Sequence, residues 1–433
     1  MHHDPSHCFE ETRDGTLKVC VEGNTVVPRS INGRLHILCT SLRSLHLAVK
    51  LLLSGQKYDI IIVDQLSVPI PLLKLSGARI FFYCHFPDKL QARHDTLLTR
   101  LYRAPFDWIE EVTTKEADTI AVNSRFTRSV FARAFRRITK QPKVLYPSLN
   151  LAAYDRSLDT ADLNLAPLRS SRGLVVSINR FERKKDLALA IRAFHRLITT
   201  HTEYAGSLRL VMAGGYDPRV EENVQHLGEL VALASKLDLV VQVVSPPTAS
   251  LGFAVHEHHE SRAPSPEDVQ IVFLPSFSEN QRTFLLTTAK CLIYTPTNEH
   301  LGIVPLEAMY NRTPVIAIGS GGPKETVVDG ITGFLVKVDG DGGTKPPPPQ
   351  DQIADYMHLI LSGREMAKLM GEEGRKRVKE MFNLSTFGDN LESMLCEMLL
   401  YDRTPSTILP LALGTTVLIL ALTTRLLYLY ALG

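Results

Sequence analysis

Tryptophan occurs once in the 433 residues, and the six cysteines stand apart at positions 8, 20, 39, 84, 291 and 396. No two form a CxxC pair, so neither a disulfide framework nor a zinc ribbon is indicated, and reduced, cytosol-facing thiols are the simplest reading. An excess of one charge is lacking too. A formal net charge of +2 argues against a general polyanion binder, and nucleic acid is not an expected partner. No repeat of solenoid period is present, and the first residues lack the charged-then-apolar pattern of a signal peptide.

Long apolar runs are also scarce. LHILCTSLRSLHLAVKLLL (35–53) is interrupted by arginine, histidine and lysine, which suits an amphipathic helix packed on a sheet; binding to a membrane surface is the other reading. Only ILPLALGTTVLILALTTRLLYLYALG (408–433) is nearly continuous, with the single charge Arg425. It exceeds the ~20 residues that a span needs. Arg425 can snorkel to the interface beside Tyr428 and Tyr430. A membrane segment at 408–432 is expected, with a buried core helix as the alternative. Arg403 and Arg425 lie on opposite sides and leave its orientation open.

What is present is 44% hydrophobic and 22% charged residues, which suffices for ordinary cores in two or three domains of about 150 residues each. β-rich runs alternate with helical patterns. In the first half they are 58–64, 78–84, 118–124 and 143–148; in the second, 173–179, 208–215, 239–245, 291–296 and 314–319. The first strand is placed at 17–21 or 58–64. Continuous apolar runs with helices between them indicate parallel strands covered on both faces. The expected class is α/β: two Rossmann-like domains, 1–148 and 173–383, facing a cleft, with a linker 149–172 and a return helix 384–404 before the membrane segment. Stretches 245–268 and 339–351 read as irregular loops.

In an open α/β sheet, ligands bind at the carboxyl ends of the strands. Three such ends stand out. SINRFERKKDLALAIRAF (177–194) places Arg180, Arg183, Lys184 and Lys185 between a strand and a helix start, which suits a pyrophosphate; a solvated basic turn is the other reading. NEHLGIVPLE (298–307) sets Glu299 and Glu307 on either side of Gly302. GSGGPKET (319–326) lets the backbone approach a ligand at Gly321 and Gly322. Cations for phosphates, carboxylates for sugar hydroxyls and backbone amides for either fit a nucleotide diphosphate bearing a polyol. In the first half, YCHFPD (83–88) brings His85 and Asp88 to a strand mouth, although a lone histidine is more often structural.

These stretches resemble the retaining GT-B glycosyltransferases of family 4. Glu299 and Glu307 match the family's E-x7-E motif, and Arg180 and Lys185 match its Arg and Lys after the first strand of the second domain. YCHFPD, NRFERKK, FLPSFSENQRTFLL (273–286), NEHLGIVPLEAM and SGGPKET are similar more narrowly to the family's mannosyltransferases of the dolichol-linked oligosaccharide pathway. The likeness spans nearly the whole chain, including HCFEETRDGTL (7–17), and thins in the 245–268 loop.

The resemblance implies GDP-mannose as donor and a Man-GlcNAc2-type acceptor on dolichol diphosphate. It implies α-1,3 and α-1,6 linkages made on the cytosolic face of the endoplasmic reticulum membrane, beside other early mannosyltransferases of that pathway. It assigns Arg180 and Lys185 to the departing diphosphate, Glu307 to the ribose, Glu299 and the amides around Gly302 to the donor sugar, and His85 to the neighbourhood of the reacting sugar. Ile303, Val304, Gly321 and Gly322 complete the expected nucleotide-sugar contacts, with Ile303, Val304 and Leu306 seating the turn in the core.

No cofactor and no metal are expected. The DGD triplet (339–341) sits in a glycine/proline loop, HHDPSHC (2–8) has no second ligand cluster, and HEHH (256–259) reads as solvated histidines. The chain departs from the family in one respect: no strand and GGAER-like glycine-rich loop precede HHDPSHC. The expectation is poor mannose transfer by residues 1–433 alone, recovered by an upstream strand–loop–helix. A non-catalytic, membrane-anchored nucleotide-sugar-binding protein, or a family 4 transferase with another donor, are the alternatives.

Overall fold

The computed structural model describes residues 12, 14–23, 26–31, 35–91, 96–244, 265–338, 346–403 and 406. The expected membrane segment 408–432, HHDPSHC, HEHH, the DGD triplet and most of the loops 245–268 and 339–351 lie outside the described residues. The chain divides into two compact units, Met1–Tyr146 with Asp389–Gly433, and Pro147–Gly388.

Among the described residues, the first unit carries a parallel four-stranded sheet. Its strands are β1 (Ile60–Asp64), β2 (Arg79–Cys84), β3 (Thr119–Val122) and β4 (Lys143–Val144), in spatial order 1-2-3-4. The stretch 17–21 is not a strand, and Leu17 and Val19 are exposed. β2 and β3 are buried and apolar, as interior parallel strands should be. β1 differs from the expectation of cover on both faces: it pairs only with β2, and Ile62 is 52% exposed. Residues 35–53 form the helix His36–Leu53, whose Leu45, Ala48 and Val49 pack into the core with Ile70, Ile80 and Phe82. It is also the one helix among the described residues long and apolar enough to cross a membrane. Lys74 is buried and satisfied by the Glu116 carbonyl (2.7 Å) and Asp118 (3.3 Å), as a buried ammonium must be.

The second unit holds a parallel seven-stranded sheet in the order β11-β10-β9-β5-β6-β8-β7. The strands are β5 (Gly173–Ile178), β6 (Leu208–Gly214), β7 (Val241–Val243), β8 (Ile271–Pro275), β9 (Ala289–Tyr294), β10 (Val315–Ile318) and β11 (Gly333–Val336). β8 and β11 are not among the expected strands. β8 lies just after the expected loop 245–268 and overlaps the start of FLPSFSENQRTFLL, and β11 is four residues at an edge. Every residue of β6 and β8 is buried. The helix Leu187–Thr200 buries Leu187, Ile191, Phe194 and Leu197 against this sheet beside the helix Pro349–Ser362. Arg209 sits wholly buried in β6, and its guanidinium donates to the Val269 carbonyl at 3.1 Å and to that of Pro266. Residues 149–172 are not a free polar connection: Leu165 and Leu168 are buried, and the Leu149 amide bonds the Phe382 carbonyl at 2.8 Å.

Candidate active site

In the second unit the three marked loops leave neighbouring strand ends. After β5 the chain turns through Asn179 and Arg180 into a 3-10 turn, Arg183–Lys185, before the helix Leu187–Thr200. Gly214 makes this possible, because a Cβ there would lie 1.6 Å from the Asn179 carbonyl oxygen. Asp186 enters the helix at φ 46°, in the left-handed region that aspartate tolerates better than most residues. The turn points its cations in different directions. Arg180 is largely exposed and pairs with Glu182 at 2.9 Å, and Lys184 shares that carboxylate at 3.1 Å. Arg183 turns away to Glu229. Lys185 is buried, and its ammonium lies 2.5 Å from Glu299.

Glu299 is where the three loops meet. Its second carboxylate oxygen accepts the Tyr294 hydroxyl at 3.3 Å, and its carbonyl accepts the Gly322 amide at 2.7 Å. Gly321 and Gly322 have no room for side chains: a Cβ would stand 2.5 Å from the Glu299 oxygen or 2.2 Å from Leu301 Cα. Gly321 also has φ 66°. The Thr295 hydroxyl bonds the Lys185 carbonyl at 2.6 Å and ties the β9 loop to the β5 loop.

Gly302, at φ 84°, starts the helix Ile303–Tyr310 without a side-chain cap. Pro305 has no N–H, so Ile303 and Val304 supply the amides that the helical ladder leaves unpaired there. Ile303 is 48% exposed and Val304 only partly buried, so neither seats the turn in the core. Leu306 does, being 1% exposed. Glu307, one turn into the helix, is buried and accepts the Tyr154 hydroxyl at 2.7 Å. Burial raises its pKa; Arg282 and the Tyr154 hydroxyl pull it back down.

Lys185, Glu299, Gly321 and Gly322 are thus in direct contact or one bond apart, whereas Arg180 faces Glu182 and Glu307 faces Tyr154. Tyr154, Tyr294 and Thr295 are additions to the sequence reading. Tyr154 lay in the stretch read as a linker, so only its aromatic character could have marked it.

In the first unit His85 follows β2, and its Nε2 lies 2.9 Å from Asp64 at the end of β1. The sequence held a signal for this pair, since the parallel register sets Asp64 opposite Tyr83, two residues before His85. The His85 amide bonds Gln65 at 3.0 Å, and the Asp88 and Lys89 amides bond the Glu110 carboxylate at 2.6 and 3.0 Å. Burial, partly offset by those two amides, pushes Glu110 up to about 7.

Residues 267–377, which include both glutamates, match the glycosyl transferases group 1 family. The chain is 46% identical to the alpha-1,3/1,6-mannosyltransferase ALG2 of Rhizomucor pusillus over 92% of its own length and 84% of the relative's. It is 44% identical to that of Schizosaccharomyces pombe over 90% and 72%. The chain belongs to the alpha-1,3/1,6-mannosyltransferase family. Its fold is the α/β GT-B fold. Sucrose-phosphate synthase from Thermosynechococcus elongatus superposes with TM-score 0.60 at 18% identity, covering 86% of this chain and 82% of that one. For a member of this mannosyltransferase family, a buried lysine against an acid at the strand ends is the arrangement to explain.

Proposed function

We propose that the chain transfers mannose from GDP-mannose to a dolichol-diphosphate-linked Man-GlcNAc2-type acceptor, forming α-1,3 and α-1,6 linkages with retention of configuration. The observation that carries this is the Lys185–Glu299 pair beside Gly321 and Gly322. Departure of GDP leaves a diphosphate whose growing charge must be met by groups already in place. Lys185 is fixed by its ion pair and by the Thr295 bond, so it meets that charge without reorganising. Arg180 is exposed and, among the described residues, pairs with Glu182 of its own loop, from which it can turn onto the second phosphate. The Ile303 and Val304 amides and the positive end of their helix add to this field. Glu299 takes mannose hydroxyls. Glu307, with Tyr154 on its other flank, takes the ribose.

No carboxylate stands out as a nucleophile. A same-face displacement, in which the leaving phosphate takes the acceptor proton, accounts for retention. Trapping a mannosyl–enzyme adduct on a side chain would contradict it. His85, oriented by Asp64, serves the reacting sugar in keeping with the family resemblance. The apolar segment 408–432 anchors the protein in the endoplasmic reticulum membrane with both units on the cytosolic face, where other early mannosyltransferases of the pathway act.

The test gives membranes containing the protein labelled GDP-mannose and a lipid-linked acceptor, with Glu307→Ala as control. Label should enter the lipid fraction with the unaltered protein and fall sharply with the variant. Donor binding without transfer would favour a non-catalytic nucleotide-sugar-binding protein instead.

A further inference from the structure

The helix Leu187–Thr200 leaves the candidate active site at its start and ends at the opposite, amino-terminal ends of the strands, just before β6 begins at Leu208. There the chain turns through His201 into a single 3-10 turn, Thr202–Tyr204. His358, from the helix Pro349–Ser362, lies on this corner. The His201 and His358 rings stack with centroids 3.8 Å apart and planes 7° from parallel. His201 Nδ1 is 3.7 Å from a Glu203 carboxylate oxygen. The Tyr204 hydroxyl lies 3.2 Å from His358 Nδ1. One ligand atom from each of His201, Glu203 and His358 falls within 4.8 Å of the others.

We propose that His201, Glu203 and His358 bind a divalent cation of the zinc class, which clips the end of the first helix to the second. Two imidazole nitrogens and one carboxylate are a donor set suited to zinc, with a water in the fourth position. Calcium and magnesium prefer oxygen ligands and do not fit it. Tyr204 supplies the outer hydrogen bond that metal-bound histidines generally make. The Tyr204 hydroxyl, 3.2 Å from His358 Nδ1, accepts from that nitrogen in the tautomer that the proposal requires. That tautomer leaves the lone pair on Nε2.

The two rings stack nearly parallel. Lone pairs lie in the ring planes, so one ring must tilt before both nitrogens reach a single ion. Zinc–nitrogen bonds of about 2.0–2.1 Å in a tetrahedron require nitrogens about 3.3 Å apart. Two rings in parallel planes 3.8 Å apart meet that requirement only if one of them reorients by tens of degrees, and His201 is placed to do so, because it follows the last helical residue and its side chain is 27% exposed.

The experiment strips the full chain in detergent with a chelator and titrates it with zinc by equilibrium dialysis, and with cobalt by its visible absorption. The unaltered protein should take up one more zinc than the His201→Ala/His358→Ala double variant, with a tetrahedral cobalt spectrum that the double variant lacks. Glu203→Gln changes an exposed carboxylate without disturbing packing and should weaken that site about tenfold. Tyr204→Phe should weaken it by about 10–100-fold. Zinc should raise the melting temperature of the unaltered protein and not of the double variant. Equal zinc uptake and equal melting shifts in the two would overturn the proposal. The site lies apart from the strand ends that carry the proposed chemistry, so failure here leaves the mannosyltransferase reading standing.

Discussion

Lys185→Ala separates the two duties that the proposed mechanism gives one side chain. The first is structural. Lys185 and Glu299 lie 2.5 Å apart with side chains 10% and 25% exposed. Removing one partner of a fully buried pair costs ~3–5 kcal/mol. Glu299 is a quarter exposed and keeps the Tyr294 hydroxyl, so water takes up much of that loss, and ~1–2 kcal/mol is the expected cost. For a unit of this size that lowers the melting temperature by roughly 3–6 °C. The second duty is chemical. Losing a fixed donor to developing negative charge costs ~3 kcal/mol, or ~100-fold or more in kcat. The assay is transfer of labelled mannose, run well below the lowered melting temperature. In Lys185→Ala/Glu299→Gln the carboxylate is no longer uncompensated, so stability should return while transfer stays at least ~100-fold down. A single variant with kcat/KM within about fivefold of the unaltered protein would refute the chemical duty. So would activity that recovers with stability in the double variant.

Tyr154→Phe removes a bond that holds the Glu307 pKa down, so the carboxyl should protonate at higher pH. The acid limb of kcat/KM for the donor should then move to higher pH, with kcat at saturation little changed; an unmoved limb would count against Glu307 as a donor-binding group. Gly322→Ala forces a Cβ to within 2.2 Å of Leu301 Cα, and should cost ~1–3 kcal/mol in denaturant unfolding together with most of the transfer activity. Glu110 has a folded-state pKa of about 7 against an ordinary 4.5. Its contribution is full below about pH 4.5 and is lost as pH rises through 7, a change of ~3 kcal/mol. Glu110→Gln should flatten that part of the stability–pH curve, and an identical slope in the variant would show that Glu110 is not its source.

Much of this fold was legible because parallel strands buried on both faces read as unbroken apolar runs. LRLVMAGG and GLVVSIN gave β6 and β5 within a residue or two. What failed has physical causes. QIVFLP is as apolar as its neighbours, but it follows directly on the proline- and serine-rich stretch 245–268, with no helical pattern to set it off. Leu165 and Leu168 are two apolar residues in a polar context, and only tertiary packing shows that they are core. In the site, type and spacing marked Lys185, Glu299, Gly321 and Gly322, because each sits at a strand end. Partner choice was not legible. Arg180 and Lys185 look alike in NRFERKK, yet the first is exposed and pairs within its own loop, while the second is buried and crosses to another strand's loop. Arg180 lies in the irregular chain before the 3-10 turn Arg183–Lys185, and Lys185 is that turn's last residue, so their different partners follow from tertiary placement and not from residue type.

Backbone strain gives an independent reason to put function at these strand ends. Among the described residues, seven other than glycine have positive φ. Four of them, Gln65, Asp186, Ser276 and Asn298, come directly or shortly after β1, β5, β8 and β9. Such conformations cost of order 1–3 kcal/mol each and persist only where their surroundings over-determine them. Three of the four are held in that way. Ser276 bonds the Gly214 carbonyl at 2.7 Å through its amide and the Tyr216 carbonyl at 3.0 Å through its hydroxyl. The Asn298 amide bonds the Ser320 hydroxyl at 3.1 Å, which joins the β9 and β10 loops. Gln65 reaches the Phe86 carbonyl at 2.8 Å and receives the His85 amide at 3.0 Å. These bonds join neighbouring strand ends, so the strain is balanced by contacts that also fix those ends against each other. A loop needed only to reverse the chain would have no use for this. Loops that must hold Lys185 against Glu299 and His85 against Asp64 would.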